Sequence, residues 1–490
     1  MDRNIISPID TSYRGGEKTF KPHGIMHQFM LYKSNSSNFI ASSLQDRGNY
    51  RHIIMEDRTN RRAADMDHGP AARRPNFLKK LLCTCFSPST STGSNEQLRP
   101  RSLTVFGSAE EAFYSDLINC KLLRVLDLKE CNNLVEEHIK KIYKLLHLKY
   151  LTLGSSVRGL SDKMENLHCL ETLDLRKTKI ETLPVEVISL PHLVHLFGMI
   201  KLSKLSSKKI RKFLSRECNL ETLSGVVIER KSRFPELMAH MKQLKKLKIW
   251  CRTTSRDRNY TKLLDAISKF AKADMSTPQG DRFLSFHLHE SSKDLLPRLK
   301  GPNTKALFYL SSLKLHGRPT GFHEFATILS GLKELCLTNT NLKGDDLLAG
   351  LRTLKCLVYL KLVEVKLEDL VIDVVGDLAS LKRLCLVVQQ PKFPQITEGA
   401  LPGLVSLQLL CKDLEGLCDG INVEYFKYLR EVALDSRVHR AGTIEVWEKE
   451  AEKHPRMPKV VLLKRVEPAY LVKYVAADHE SLESLAQETS

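Results

Sequence analysis

From Leu123 to Leu434 apolar residues return in one spacing, L-x-x-L-x-L. Clear copies are LRVLDL from Leu123, LKYLTL from Leu148 and LETLDL from Leu170. Weaker ones begin at Leu193 (LVHLFG), Leu220 (LETLSG), Leu244 (LKKLKI) and Phe283 (FLSFHL). Then follow LSSLKL from Leu310, LKELCL from Leu332, LVYLKL from Leu357, LKRLCL from Leu381, LVSLQL from Leu404 and LREVAL from Leu429. Most of these thirteen starts lie 22 to 27 residues apart, which is the period of a leucine-rich repeat. The longer gap from Leu244 to Phe283 carries polar residues such as CRTTSRDRNY and reads as an insertion or loop on one face.

Alternation within L-x-x-L-x-L turns the leucines to one side of a short strand and the residues between them to the other. Ile139, Ile142 and Leu145 supply a second apolar group that can return as a helix or 3₁₀ turn. One repeat cannot offset the entropy of ordering its own backbone, so neighbours must stack and share their leucines. The fold predicted is α/β: a leucine-rich-repeat solenoid, horseshoe-shaped, with a parallel sheet on its concave side over residues 100–470. Candidate partner-binding positions on that side are Asp127, Thr152, Asp174, Lys248, Lys314, Lys361 and Gln408, flanked by Lys129, Arg176, Lys333 and Lys382. Cys336 and Cys385 fall at the same outward positions and are expected as exposed thiols.

The ends break the pattern. TIEVWEKEAEKHP reads as an amphipathic helix from about Thr443, stopped at His454-Pro455, and Lys459 to Leu463 reads as a strand. A solenoid needs an atypical last layer, and Trp447 is placed to cover it. Residues 471–490 are expected as a disordered tail, and 54–99, with its SPSTSTGSNEQ run, as a disordered linker. Within that linker Cys83 and Cys85 stand without a second ligand pair, so no zinc site is expected. Residues 1–53 hold one helical spacing, Ile25, Phe29 and Met30, and are expected as a small helical remnant.

Composition narrows the function. No apolar run approaches membrane-spanning length, and twelve scattered cysteines read as thiols of a reducing compartment. A formal charge of +19 favours acidic partners. The one dense basic cluster, Lys201, Lys204, Lys208, Lys209, Arg211, Lys212 and Arg216, reads better as a solvated helix face than as a phosphate contact. Neither nucleic-acid nor membrane binding is expected. No HExxH, G-x-S-x-G, paired CxxC, dinucleotide fingerprint or phosphate loop occurs, so no catalytic residue, metal site or resident cofactor is predicted.

The phrases RSLTVFG, KLLRVLDLKEC, KLLHLKYLTL, LETLDLRKTKIETLP, HLVHL and EVWEKEAEKHP together resemble plant NLR disease-resistance proteins of the cereal coiled-coil subgroup. More loosely, HGIMHQFMLYKS with NFIAS resembles the end of the family's nucleotide-binding region. On that resemblance Pro22, His23 and Gly24 match the Met-His-Asp motif, whose His contacts ADP; Gly24 replaces the acid and Gln28 stands at a second acidic position. ADP or ATP would be bound by intact members, and this chain looks like one without its coiled-coil and ATPase halves. The resemblance implies a cytoplasmic, also nuclear, immune module that binds a pathogen effector or a host protein, and another NLR as a further partner. The alternative is a non-immune scaffold for a signalling or ubiquitin-ligase complex.

Overall fold

A computed structural model of the chain describes residues 6–11, 17–22, 40–41, 52–56, 100–108, 117–202, 206–215, 217–254, 256–257, 260–272, 281–290, 293–300, 308–438 and 441–463. It divides into an N-terminal unit, Pro22–Val226 with His240–Leu244, and a C-terminal unit, Val227–Ala239 and Lys245–Ser490 with Met1–Lys21.

Each unit is built on a parallel sheet. In the N-terminal unit neighbouring strands follow the chain: β3 (Ile40–Ala41), β4 (His52–Glu56), β5 (Ser102–Gly107), β6 (Val125–Cys131), β7 (Tyr150–Thr152), β8 (Thr172–Asp174), β10 (His195–Leu202) and β11 (Thr222–Ile228, to Val226 here). The short β9 (Thr182–Leu183) pairs beside β10. β1 (Ile6–Thr11) and β2 (Glu17–Pro22) form a separate two-stranded sheet. In the C-terminal unit the ladder runs β12 (Lys246–Cys251), β13 (Phe283–Leu288), β15 (Ser312–His316), β17 (Glu334–Thr338), β18 (Tyr359–Glu364), β20 (Arg383–Val388), β22 (Ser406–Leu410), β23 (Glu431–Asp435) and β24 (Lys459–Leu463). Two side pairs join β14 (Phe308–Tyr309) to β16 (Leu329–Ser330) and β19 (Val371–Ile372) to β21 (Gln395–Ile396). Every copy of the leucine motif is thus a strand, as its period-2 alternation requires.

Register explains the core. Leu103, Leu126, Leu151, Leu173, Leu196 and Leu223 pair in one line across the N-terminal unit and are all essentially buried. Leu247, Leu284, Leu313, Leu335, Leu360, Leu384, Leu407 and Val432 do the same in the C-terminal unit. Each strand adds one leucine to a wall that its neighbours complete, so no single repeat encloses a core. In LVHLFG and LETLSG the third leucine is replaced by glycine, and β10 and β11 shift register there. Gly225 has φ +113°, and a Cβ on it would lie 1.9 Å from the Gly198 carbonyl oxygen. Only glycine allows that approach.

The C-terminal layer stands where the pattern puts it. Helix Ala441–Lys453 buries Trp447, whose indole N–H donates to the Gly416 carbonyl at 2.9 Å. Buried His454 ends the helix: its Nε2 lies 3.2 Å from the Phe426 carbonyl, and its Nδ1 accepts from the Arg456 N–H at 3.1 Å.

Four expectations change. The Leu244-to-Phe283 gap is not simply a loop: it holds helix Tyr260–Ala271, whose Leu263, Ile267 and Phe270 are buried at helical spacing. The copy at Phe283 is out of step by two residues. Leu284 is the partner of Leu247, so Phe283 turns outward and Asp281 takes the first motif position. The small helical remnant expected over 1–53 has only strands among its described residues. The linker expected from residue 54 begins inside β4, because Ile53 pairs with Leu103 and extends the leucine wall by one strand. The Ile25–Met30 helix, His23, Gly24, Gln28, Cys83, Cys85 and the segment 471–490 lie outside the described residues, as does the rest of the linker.

Candidate protein-binding face

Residues opposite the leucines form rows that cross the strands on the open side of each sheet. In the N-terminal unit the pairing sets Thr104, Asp127, Thr152, Asp174, Phe197 and Ser224 in one row. Asp127, Thr152 and Asp174 are therefore adjacent, but two of them are not solvent-facing, as the alternation has them. Thr152 is 1% and Asp174 6% exposed. The Thr152 hydroxyl donates to Asp127 Oδ1 and accepts from the Leu128 N–H at 3.2 Å. Asp127 also accepts from the Lys129 N–H at 3.1 Å. Asp174 is gripped by Arg176 through the backbone N–H (3.0 Å) and through Nη2 (2.6 Å). The Arg176 guanidinium also lies 5.1 Å from the centre of the Phe197 ring. These carboxylates are held inside the repeat, which is why side chains expected to meet solvent are buried.

The C-terminal unit carries three rows. The middle one runs Lys248, Ser285, Lys314, Cys336, Lys361, Cys385 and Gln408. Lys314 is exposed and Lys248 and Lys361 half-buried. Gln408 is buried, correcting its expected exposure. Cys385 is likewise buried, packed with Val387 and Leu410 against Tyr359, Val363 and Leu463, while Cys336 is half-buried. Lys333 and Lys382 sit exposed just before β17 and β20, at the row's edge; Lys333 Nζ lies 4.0 Å from Asp281.

A second row runs Trp250, His287, His316, Thr338, Val363, Val387 and Leu410. Trp250 and His287 stack with centroids 3.6 Å apart, and His316 continues the ladder at 4.8 Å. Lys248 Nζ lies 5.1 Å from the Trp250 ring centre. Burial, reinforced by Lys248 and His316, pushes the His287 imidazole well below its ordinary value, and its Nδ1 has no hydrogen-bond partner. Burial and Lys248 lower His316 in the same direction. The alternation of leucines does not reveal this ladder. Its signal is the residue two places after each outward lysine or serine: Trp250 in LKIW, His287 in LSFH and His316 in LKLH.

The third row runs Lys246, Phe283, Ser312, Glu334, Tyr359, Arg383 and Ser406. From β12 to β22 these rows carry Lys246, Lys248, Lys314, Lys361 and Arg383 with Glu334, which lies 3.9 Å from Lys314 Nζ, and on β23 and β24 the same side adds Glu431, Asp435 and Lys459. This is a cationic, part-apolar sheet. Among the described residues no group of three or more His, Cys, Asp or Glu side chains is placed to hold a metal ion, and no helix is long and apolar enough to cross a membrane. Of the basic cluster Lys201 lies on β10, and Lys208, Lys209, Arg211 and Lys212 lie on helix Ser207–Leu214, where Lys209 pairs with Glu186 (2.9 Å) and Lys212 with Glu165 (3.0 Å). It is a solvated helix face; Lys204 and Arg216 lie outside the described residues.

A profile of leucine-rich repeat regions matches residues 99–460. Disease resistance protein RGA4 of rice (Oryza sativa subsp. japonica) is 41% identical over 475 residues, which is 96% of this chain and 44% of that protein. The chain belongs to the leucine-rich-repeat family. A second rice relative, disease resistance protein Pik-2, is 24% identical over 88% of this chain and 44% of its own length. The chain thus spans less than half the length of these relatives. Among solved structures, an internalin from Listeria monocytogenes aligns over 73% of this chain and 79% of its own, at 14% identity and a TM-score of 0.30. The α/β leucine-rich-repeat solenoid read from the sequence is the fold of this family, and such folds typically bind rather than catalyse.

Proposed function

We propose that the chain is an intracellular recognition module of plant immunity, cytoplasmic and also nuclear, that binds a pathogen effector or a host protein through the open face of its sheet. The observation that carries this reading is the identity with a rice disease-resistance protein along nearly the whole chain. The face supports it: rows of varied side chains on a rigid parallel sheet suit recognition of a protein surface. The candidate residues are Asp127, Lys129, Thr152, Asp174 and Arg176 in the N-terminal unit and Lys248, Lys314, Lys333, Lys361, Lys382 and Gln408 in the C-terminal unit, the buried ones as supports. The excess of lysine favours an acidic partner. A second NLR is a further partner, and no catalytic step is assigned.

The test is a binding panel of purified secreted pathogen proteins and purified host proteins against the full chain. The reading expects at least one saturable binder that Lys314→Glu with Lys361→Glu abolishes, and loss of the defence response in leaves carrying the same variant. Binders indifferent to every substitution on the face would overturn it.

A further inference from the structure

A tight turn precedes each of β18, β20, β22, β23 and β24. In every one the fourth residue donates its N–H to the carbonyl of the first: Leu357 to Leu354, Leu381 to Leu378, Leu404 to Leu401, Leu429 to Phe426 and Met457 to His454. Such a turn carries its two central residues at the tip. Buried anchors such as Leu354, Leu404, Phe426 and His454 hold the turns down. The tips are then Lys355-Cys356, Ala379-Ser380, Pro402-Gly403, Lys427-Tyr428 and Pro455-Arg456. Lateral bonds align them. The Lys382 N–H donates to Val358 (2.9 Å), Val405 to Lys382 (2.8 Å), Arg430 to Val405 (2.9 Å) and Lys459 to Arg430 (2.9 Å). The turns therefore form one strip, four strand spacings or about 19 Å long.

The strip gathers one sign of charge. Residues 354–358, 378–382, 401–405, 426–430 and 454–458 hold Lys355, Lys382, Lys427, Arg430 and Arg456 but no Asp or Glu. All five cations are exposed, and none has an ion pair among the described residues. The acids nearest in sequence are engaged: Asp377 accepts from Arg352 at 2.7 Å, and Glu431 from the Ser406 hydroxyl at 2.8 Å. Exposed Glu424 and Glu452 precede the last two turns and are outnumbered by the cations. The middle of the strip is low, because its tips are Ala379, Ser380, Pro402 and Gly403. Lys382 Nζ reaches over Gly403, where a Cβ would lie 2.8 Å from it. At one end the Arg456 guanidinium lies 4.9 Å from the centre of the Tyr428 ring. Tyr428 is 45% exposed there, and Met457, in left-handed backbone at φ +44°, is 71% exposed.

We propose that this strip docks the C-terminal unit on an anionic membrane surface. The five cations stand at the level of the lipid phosphates, and Met457 with the Tyr428 ring enters the headgroup boundary. A lipid surface accepts cations and an apolar tip together, since charge attraction and apolar burial add there. An acidic protein surface would match the cations but leave Met457 in water. Tyrosine suits the boundary because its ring is apolar and its hydroxyl stays wet. The cytoplasmic leaflet is negatively charged, which supplies the complement. Composition cannot show such a strip, because its tips lie 23 to 28 residues apart and only register brings them together. The strip shares only Lys382 with the candidate protein-binding face, so the inference does not rest on the recognition reading.

Co-sedimentation of the full chain with vesicles tests it: phosphatidylcholine alone against phosphatidylcholine with about 30% phosphatidylserine. The chain should partition onto the anionic vesicles at least about tenfold more strongly, and should lose that excess as salt rises from about 50 to about 200 mM. One basic residue near such a surface contributes about fivefold, so Lys427→Gln with Arg430→Gln and Arg456→Gln should cost about a hundredfold. The charge-keeping set Lys427→Arg, Arg430→Lys and Arg456→Lys should retain binding, which separates lost charge from lost fold. Lys163→Gln, an exposed lysine on the 3₁₀ turn Asp162–Asn166, should change nothing. Met457→Asn places a residue that tolerates left-handed backbone and should cost about fivefold. Equal binding to the two vesicles, or full binding by the triple glutamine variant, overturns the inference. Charge-dependent binding that ignores Met457→Asn overturns it too, because the strip would then meet an acidic surface without entering the boundary.

Discussion

The open rows of the two units occupy the same place in the repeat and have opposite chemistry. In the N-terminal unit the row is threonine and aspartate, with every acid engaged: Asp127 by Thr152 and Asp174 by Arg176. In the C-terminal unit it is lysine alternating with small residues, beside a ladder of Trp250, His287 and His316. Each row hangs on a leucine wall built in the same way. A repeat position does not determine a role; what decides is whether the outward side chain finds its partner inside the repeat. Hydrogen-bonded carboxylates stabilise the N-terminal repeats, whereas Lys314 in the C-terminal row stays exposed.

The wall itself should not distinguish the units, and this gives the largest effect. Leu173→Ala in the first and Leu335→Ala in the second each remove a side chain with no exposed area. Each should cost about 3 to 4 kcal/mol in denaturant unfolding. A loss in only one would mean that the two walls are not equivalent. Gly225→Ala is specific to the N-terminal unit. With φ at +113° and a carbonyl 1.9 Å from the new Cβ, it should cost about 2 kcal/mol or more. A neutral result would show that β10 and β11 can move apart at no cost.

The rows come next and sharpen the contrast. Asp174→Ala removes the acceptor of three Arg176 hydrogen-bond donors from a 6%-exposed site, and should lower stability by about 1 to 2 kcal/mol. Lys361→Ala should shift it by no more than about 0.5 kcal/mol. Equal losses at the two positions would undo the distinction between a row that holds the fold and a row held for a partner.

Much of this contrast's framework is legible in the amino-acid order alone. The L-x-x-L-x-L period sets strand positions, the face of each side chain and the terminal layer under Trp447. It does not set burial on the open side. Asp174 looks exposed by alternation, yet it is buried because Arg176 follows two residues later and folds back onto it. Cys385 alternates outward too, between Lys361 and Gln408, but the apolar side chains of Tyr359, Val363, Val387 and Leu410 pack around it. Trp250 and His287 lie 37 residues apart in sequence and His287 and His316 lie 29 apart, so the aromatic ladder emerges only once register aligns them. The slip at Phe283 has the same origin: FLSFHL fits the motif in one frame and pairs in another.

The ladder gives a pH-dependent stability effect that the N-terminal row should not show. His287 is buried with Trp250 stacked on one face and His316 beyond the other, and the ammonium of Lys248 faces it from β12. Its folded pKa is therefore depressed from the ordinary 6.5. An imidazole of that kind takes up its proton in the unfolded chain first, so its contribution is complete above pH 6.5 and is lost as pH falls below it. Going from pH 7.5 to 5.5 should lower unfolding stability by about 1 kcal/mol on this group's account. His287→Gln should flatten that part of the profile, and Asp174→Ala should leave it in place. If the slope between those pH values is unchanged in His287→Gln, the ladder is not what titrates. The imidazole would then be open to protonation in the folded chain, and the ladder would be cationic rather than neutral.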